Sequence, residues 1–278
     1  MQAPLRLPER RLLGRRVQSS HLHGRAQERR RDRGGLRRTL RGLPITRPLL
    51  QPLSPISAPA ISLHCHARMA ALQTISSGPL AYVISLPERK ETGPLPLLCF
   101  LHGYDEGAPM PIERALTLRG PLGEGNPPRI RRDFIVVAPQ LPFCGDAWMR
   151  FGDAVREIVT SVQAQYGADP ARSYLTGFSF GGNGVFDLGS SQPDLWAALW
   201  AVDPTRAPAR LPRPVWVSVG AVARGRLPEL ARRLKLQPSP DLENDGVYVD
   251  RGEDHVGCAT NAYGSEEPYA WLLHRRRA

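Results

Sequence analysis

A glycine-rich junction between a short strand and a helix constrains this sequence more than any other feature. Gly177-Phe178-Ser179-Phe180-Gly181-Gly182 follows the strand-like run Ser173–Thr176 and precedes a segment expected to be helical to about Ser191. A strand that turns directly into a helix brings two backbones close together, so the flanking positions must be small. Gly177, Gly181 and Gly182 meet that need. The serine between them is held in a strained turn at the edge of a sheet, where the start of the helix favours developing negative charge. The spacing G-x-S-x-G in this strand-to-helix context makes Ser179 a candidate nucleophile.

The rest of the C-terminal two thirds agrees with an α/β fold, a mostly parallel central sheet with helices on both faces. Leu80–Leu86 and Phe134–Ala138 read as strands, and Leu95–Leu101 is a continuous apolar run suited to a strand buried on both faces. Phe151–Tyr166 places Phe151, Val155, Ile158, Val159 and Val162 on one helical face and stops at Gly167. Further strands are expected at Ala198–Val202, Pro214–Val219 and Gly246–Val249, with helices at Arg226–Leu234 and Glu267–Arg276. The Gly- and Pro-rich stretch from Gly120 to Arg132 reads as a loop outside the sheet that overhangs the site.

Charge divides the chain. Residues 1–68 carry 15 Arg, no Lys and only Glu9, Glu28 and Asp32, whereas residues 69–278 hold 22 basic and 23 acidic residues. The net charge of +11 therefore belongs to the N-terminal segment and gives no reason to expect the folded part to bind nucleic acid. Residues 1–68 lack apolar periodicity, end in a Pro/Ser-rich stretch and are expected to be a disordered extension, with 69–278 as the folded domain. Such an Arg-rich start is compatible with a transit peptide, a nucleic-acid-binding arm or an over-extended reading frame ahead of Met69. Neither a secretory h-region nor an apolar membrane span is evident, so a cytoplasmic domain without membrane association is expected. The four Cys show no metal or redox spacing, and His64-Cys65-His66 reads as chance rather than a metal site.

A serine hydroxyl needs a neighbouring base, and His255 answers that need: it follows the last expected strand in Val249-Asp250-Arg251-Gly252-Glu253-Asp254-His255. His274, in a C-terminal run of arginines, reads as solvated. Two backbone N–H donors are expected for an oxyanion, from Phe180 after the nucleophile and from Tyr104 in the loop after Leu95–Leu101. His102 is expected to order that loop by hydrogen bonding rather than to take part in proton transfer. Asp105 and Glu106, beside the oxyanion loop, read as a solvated turn ahead of the alternative that they contact a substrate's polar end, while Tyr104, Trp148 and Phe178 suit equally the core or the wall of an apolar pocket.

Taken together, LPLLCFLHGYDEG, IVVAPQLP with Trp148, YGADPARSYLTGFSFGGNGVFDLGSSQPDLWAALWAV, PVWVSVG and HVGCATNAYGSEEPYAWLL resemble the polyhydroxybutyrate-depolymerase-like and esterase-D-like branch of the α/β-hydrolases. The likeness spans about 80–275. Its most specific part is Tyr166–Trp200, with an Asp-Pro-x-Arg helix start, a strand, the elbow and a Pro-Asp-Leu turn. The resemblance implies cleavage of small-molecule carboxylic esters by a Ser-His-Asp triad, without metal or organic cofactor. Nothing in the sequence selects amide over ester, and the oligomeric state is not legible.

The pattern breaks at the acid. The resemblance places a carboxylate just after the strand PVWVSVG, but Gly220-Ala221-Val222-Ala223-Arg224-Gly225-Arg226 contains none. Asp203, at the end of the preceding strand, keeps the chain order Ser179, Asp203, His255 and is the first alternative. Asp250, Glu253 or Asp254 orienting His255 locally is the second. The third is that no carboxylate contacts His255, which would make the chain a slow enzyme or a catalytically idle α/β-hydrolase-like binding protein. These accounts stay open on the sequence alone.

Overall fold

A computed structural model describes residues 72–87, 93–211, 214–238 and 241–278. The expectations for residues 1–68, including His64-Cys65-His66, lie outside the described residues. Eight strands form one sheet in the order β1-β2-β4-β3-β5-β6-β7-β8. They are β1 (Leu72–Ile75), β2 (Tyr82–Ser85), β3 (Leu95–Leu101), β4 (Ile135–Pro139), β5 (Ala168–Phe178), β6 (Ala198–Val202), β7 (Val215–Val219) and β8 (Gly246–Asp250). Strand β2 runs antiparallel to both its neighbours, and every pairing from β4 through β8 is parallel.

Period-two alternation sends the side chains of each central strand to two cores. Leu97, Cys99 and Leu101 of β3 join one core and Leu98 and Phe100 the other. The first core is covered by α3 (Gly152–Tyr166), through Val155, Ile158, Val159 and Val162, and by α4 (Phe180–Ser191) and α6 (Leu227–Leu234). The second is covered by α1 (Ile112–Leu118), α2 (Arg129–Asp133), α7 (His255–Gly264) and α8 (Glu267–Leu273). The short α5 (Ala221–Arg224) follows β7. Helix α3 ends where expected, on Gly167 in the left-handed region at φ 66°.

Three expectations are corrected. Asp169-Pro170-Ala171-Arg172 does not start a helix but opens β5. The Asp169 carboxylate accepts the Ala171 N–H at 2.9 Å, Arg172 Nε at 2.9 Å and Arg276 Nη1 at 3.0 Å, and these bonds fix the chain in a non-helical turn into the strand. The 120–132 stretch is not all loop, since it includes α2. Its Gly123–Asn126 portion lines a cleft together with Thr260 on α7, more than a helical turn beyond His255. Glu106 is buried at 1% exposure while Asp105 is exposed, because Arg119 reaches in to pair with Glu106 at 3.0 Å.

Helix α7 had no sequence signal of its own: HVGCATNAYG contains two glycines, Thr and Asn, all weak helix formers. It forms because Asp254 caps it, accepting the Gly257 N–H at 2.7 Å, and because Cys258, Ala259, Ala262 and Tyr263 are buried against the sheet. Tyr263 packs on Trp200 at 4.8 Å and edge-on to Phe100 at 5.6 Å, and its hydroxyl lies 3.2 Å from Thr176 Oγ1. This anchoring fixes the first residue of the helix, His255, above the C-terminal end of β5.

Candidate active site

The junction after β5 has the close approach its glycines imply. A β-carbon on Gly181 would collide with the Leu101 carbonyl, and one on Gly177 with that of Gly181. Ser179 sits at φ 57°, a left-handed conformation unusual for a residue with a side chain, and its N–H donates to the Val202 carbonyl at 2.9 Å. One strand over, Asp203 repeats the device at φ 40°, with its N–H on the Ser218 carbonyl at 2.8 Å. Each such residue stores on the order of 1–3 kcal/mol of backbone strain, tolerated where the surrounding ladder over-determines it.

These turns bring three side chains into one line. Ser179 Oγ lies 2.9 Å from His255 Nε2, and His255 Nδ1 lies 2.6 Å from Asp203 Oδ2. The carboxylate can only accept, so Nδ1 carries the proton and donates to Asp203, leaving Nε2 to accept from the Ser179 hydroxyl. Asp203 is fully buried and receives three more donors: Gly220 N at 2.9 Å and Ala223 N at 2.7 Å on Oδ1, and Val222 N at 3.3 Å on Oδ2. The segment that lacks an acid therefore supplies the backbone donors that hold the acid from β6.

The other acids near His255 are engaged elsewhere. Asp250 pairs with Arg224 through two contacts of 2.8 Å, Glu253 Oε1 accepts from Asn261 at 3.0 Å, and Asp254 caps α7. Phe178 is buried with its ring 4.6 Å from the His255 ring, so it supports the imidazole from below. His274 is half-exposed and 4.0 Å from Glu243.

Around the junction, the loop after β3 approaches Ser179 through Gly103, whose β-carbon position would lie 3.5 Å from Ser179 Cβ. His102 is buried; its Nδ1 donates to the Gly103 carbonyl at 2.7 Å and its Nε2 accepts the Leu141 N–H at 3.0 Å. Burial holds its pKa down to about 4, so the ring stays neutral near pH 7 and keeps this tautomer. In a trans peptide the N–H points opposite to the carbonyl, so fixing the Gly103 carbonyl also fixes the direction of the Tyr104 N–H. The side chains of Tyr104 and Phe180 meet edge-on with centroids 4.9 Å apart, linking the two loops. Trp148 is buried, donating Nε1–H to the His102 carbonyl at 3.0 Å, whereas Tyr104 is half-exposed. Of the three aromatics, then, Trp148 and Phe178 belong to the core side and Tyr104 to the open rim.

A cleft of about 690 Å³ lies elsewhere, between Arg114, Arg119, Asn126 and α7, and is not lined by Ser179, His255 or Asp203. Among the described residues no helix is long and apolar enough to cross a membrane.

The sheet order, the strand-turn-helix at Ser179 and the helices on both faces define the α/β-hydrolase fold. Solved structures with this architecture include a thermostable esterase, with a TM-score of 0.59 and 22% identity over 74% of this chain and 63% of that one. The S-formylglutathione hydrolase from Agrobacterium tumefaciens matches with a TM-score of 0.51 and 12% identity over 72% of this chain and 93% of that one. The chain thus spans less than two thirds of the thermostable esterase. No protein-family model matches the sequence, and no curated protein matches it significantly.

Proposed function

We propose that this chain is a serine hydrolase of carboxylic esters, of the esterase kind that its sequence resembles. The observation that carries the reading is the unbroken line from Ser179 Oγ through His255 to Asp203, at 2.9 and 2.6 Å. Ser179 attacks the ester carbonyl while His255 Nε2 takes its proton, and the tetrahedral oxyanion is held by the N–H groups of Phe180 and Tyr104. His255, now protonated and stabilised by Asp203, passes the proton to the leaving alcohol as the C–O bond breaks. Water then repeats the sequence on the acyl-enzyme: His255 removes its proton, the acid departs and Ser179 recovers its hydrogen. The esterase and hydrolase among the structural neighbours agree with this chemistry.

The line of side chains also weighs against a catalytically idle binding protein, since that alternative requires His255 to lack a carboxylate partner. Turnover of short-chain p-nitrophenyl esters and labelling by a fluorophosphonate test the proposal. Ser179→Ala is expected to lower kcat by about 10³-fold or more and to abolish labelling. Undiminished turnover in that variant would refute the assignment.

A further inference from the structure

The turn after β3 carries a charged group that the reading above does not use. Glu106 is 1% exposed, its Oε1 accepts from Arg119 Nη1 at 3.0 Å, and among the described residues its Oε2 has no hydrogen-bond partner of good geometry. Arg119 stands at the C-terminal end of α1 with its side chain 30% exposed. The main chain at Glu106 is tied down as well, because Gln140 Nε2 donates to its carbonyl at 3.0 Å and to that of Met110 at 2.8 Å. Burial raises the pKa of the Glu106 carboxyl and the Arg119 charge opposes that shift. An apolar residue would fill this space at less cost than a carboxylate left half-satisfied. A charge at this position calls for a reason other than packing.

Its surroundings supply one. The point where a β-carbon on Gly103 would sit lies 2.8 Å from Glu106 Oε2, 3.4 Å from Phe178 Cδ1 and 3.5 Å from Ser179 Cβ. The carboxylate thus occupies the space beside the Gly103 α-carbon where a side chain would go, on the face that also looks toward Ser179 and the Phe178 ring. Glycine has the freest backbone of any residue, so the peptide it shares with Tyr104 holds one orientation only under external restraint. His102 restrains the carbonyl side, and Glu106, held by Arg119, is the nearest group on the α-carbon side, ahead of Phe178 and Ser179.

We propose that Glu106 is a positioning residue for the oxyanion donor: Arg119 clamps its carboxylate against Gly103 and so fixes the Tyr104 N–H at the site of the tetrahedral intermediate. This rests on the serine-hydrolase reading. The pair does not touch substrate, and its effect belongs to the transition state rather than to ground-state binding.

The test uses the full chain and two variants that act from opposite ends of the pair. Glu106→Gln keeps the shape but not the charge, and Arg119→Ala removes the anchor at a partly exposed position. Three readouts are compared: kcat and KM for p-nitrophenyl acetate, inhibition by phenylboronic acid, and the melting temperature. The boronate adduct on Ser179 places an oxygen where the oxyanion forms. In both variants kcat should fall by about 10- to 100-fold, with KM within about threefold and boronate affinity weakened in step with kcat/KM. Retention of kcat within about threefold in both folded variants overturns the proposal, as does a loss of kcat with boronate affinity unchanged. A wild-type chain without Ser179-dependent turnover or labelling overturns the serine-hydrolase reading and this one together; active wild type with unaffected variants overturns this one alone.

Discussion

The Asp203 carboxylate fills the space that a side chain on Gly220 would need. A β-carbon there would lie 2.7 Å from Asp203 Oδ2 and 2.5 Å from Cys258 Cβ. The sequence resemblance places a carboxylate after β7; the carboxylate that meets His255 is instead Asp203, which follows β6, one strand earlier, at 2.6 Å. The chain after β7 contributes the N–H donors of Gly220, Val222 and Ala223 to that carboxylate. Those backbone N–H groups and the His255 ring together satisfy the buried carboxylate.

If Asp203 orients His255, Asp203→Asn should lower kcat for a p-nitrophenyl ester by on the order of 10³–10⁴-fold, because the amide favours the wrong imidazole tautomer. KM should change little. Steady-state kinetics with active-site titration checks this, and a variant with more than a tenth of wild-type kcat would remove Asp203 from the mechanism.

Gly220→Ala should disturb the same line without touching any reacting atom. The added methyl must displace either the Asp203 carboxylate or Cys258, so both melting temperature and kcat should fall, kcat by about 10-fold or more. Gly225→Ala, whose β-carbon meets nothing within 4 Å, serves as the control and should leave both unchanged. Equal behaviour of the two variants would contradict the packing argument.

Asp254 separates capping from orientation. Asp254→Ala removes the N-cap of α7 and should cost about 1 kcal/mol of stability by urea unfolding, while kcat stays within about fivefold. A loss as large as that of Asp203→Asn would revive a local acid beside His255.

His102 predicts a pH dependence of stability. Its folded pKa is held down to about 4 by burial, below the ordinary value near 6.5. Between those values the unfolded chain binds the proton and the folded one does not, so stability is full above about pH 6.5 and declines as pH falls toward 4. From about pH 7 to about pH 5 the decline attributable to this one group should be on the order of 2 kcal/mol. Urea unfolding of His102→Gln should show a shallower acid slope than wild type. Parallel slopes would mean that the ring is protonated in the folded protein.

Local chemistry alone made much of the protein legible. The apolar runs that became β3, β4, β6 and β7, the periodic face of α3 with its stop at Gly167, and the glycines around Ser179 all act over a few neighbouring residues. Their conformations are therefore written in short stretches of sequence. Glu106 shows the limit, since the same two acidic letters, Asp105-Glu106, give one exposed side chain and one buried against Arg119, thirteen positions away. Helix α7 shows it again, being held by Trp200, Phe100 and Thr176 from distant strands rather than by its own weak propensity. The choice among Asp203, the acids around His255 and no acid at all depended on which strands lie side by side. Strand β6 runs parallel between β5 and β7, and that adjacency sets Asp203 beside both the end of β7 and His255. The sequence determined the strand-to-helix turn at Ser179 and the sheet that carries it; the position of the carboxylate was decided by tertiary structure, because a contact across 52 residues is a property of strand order and has no local signature.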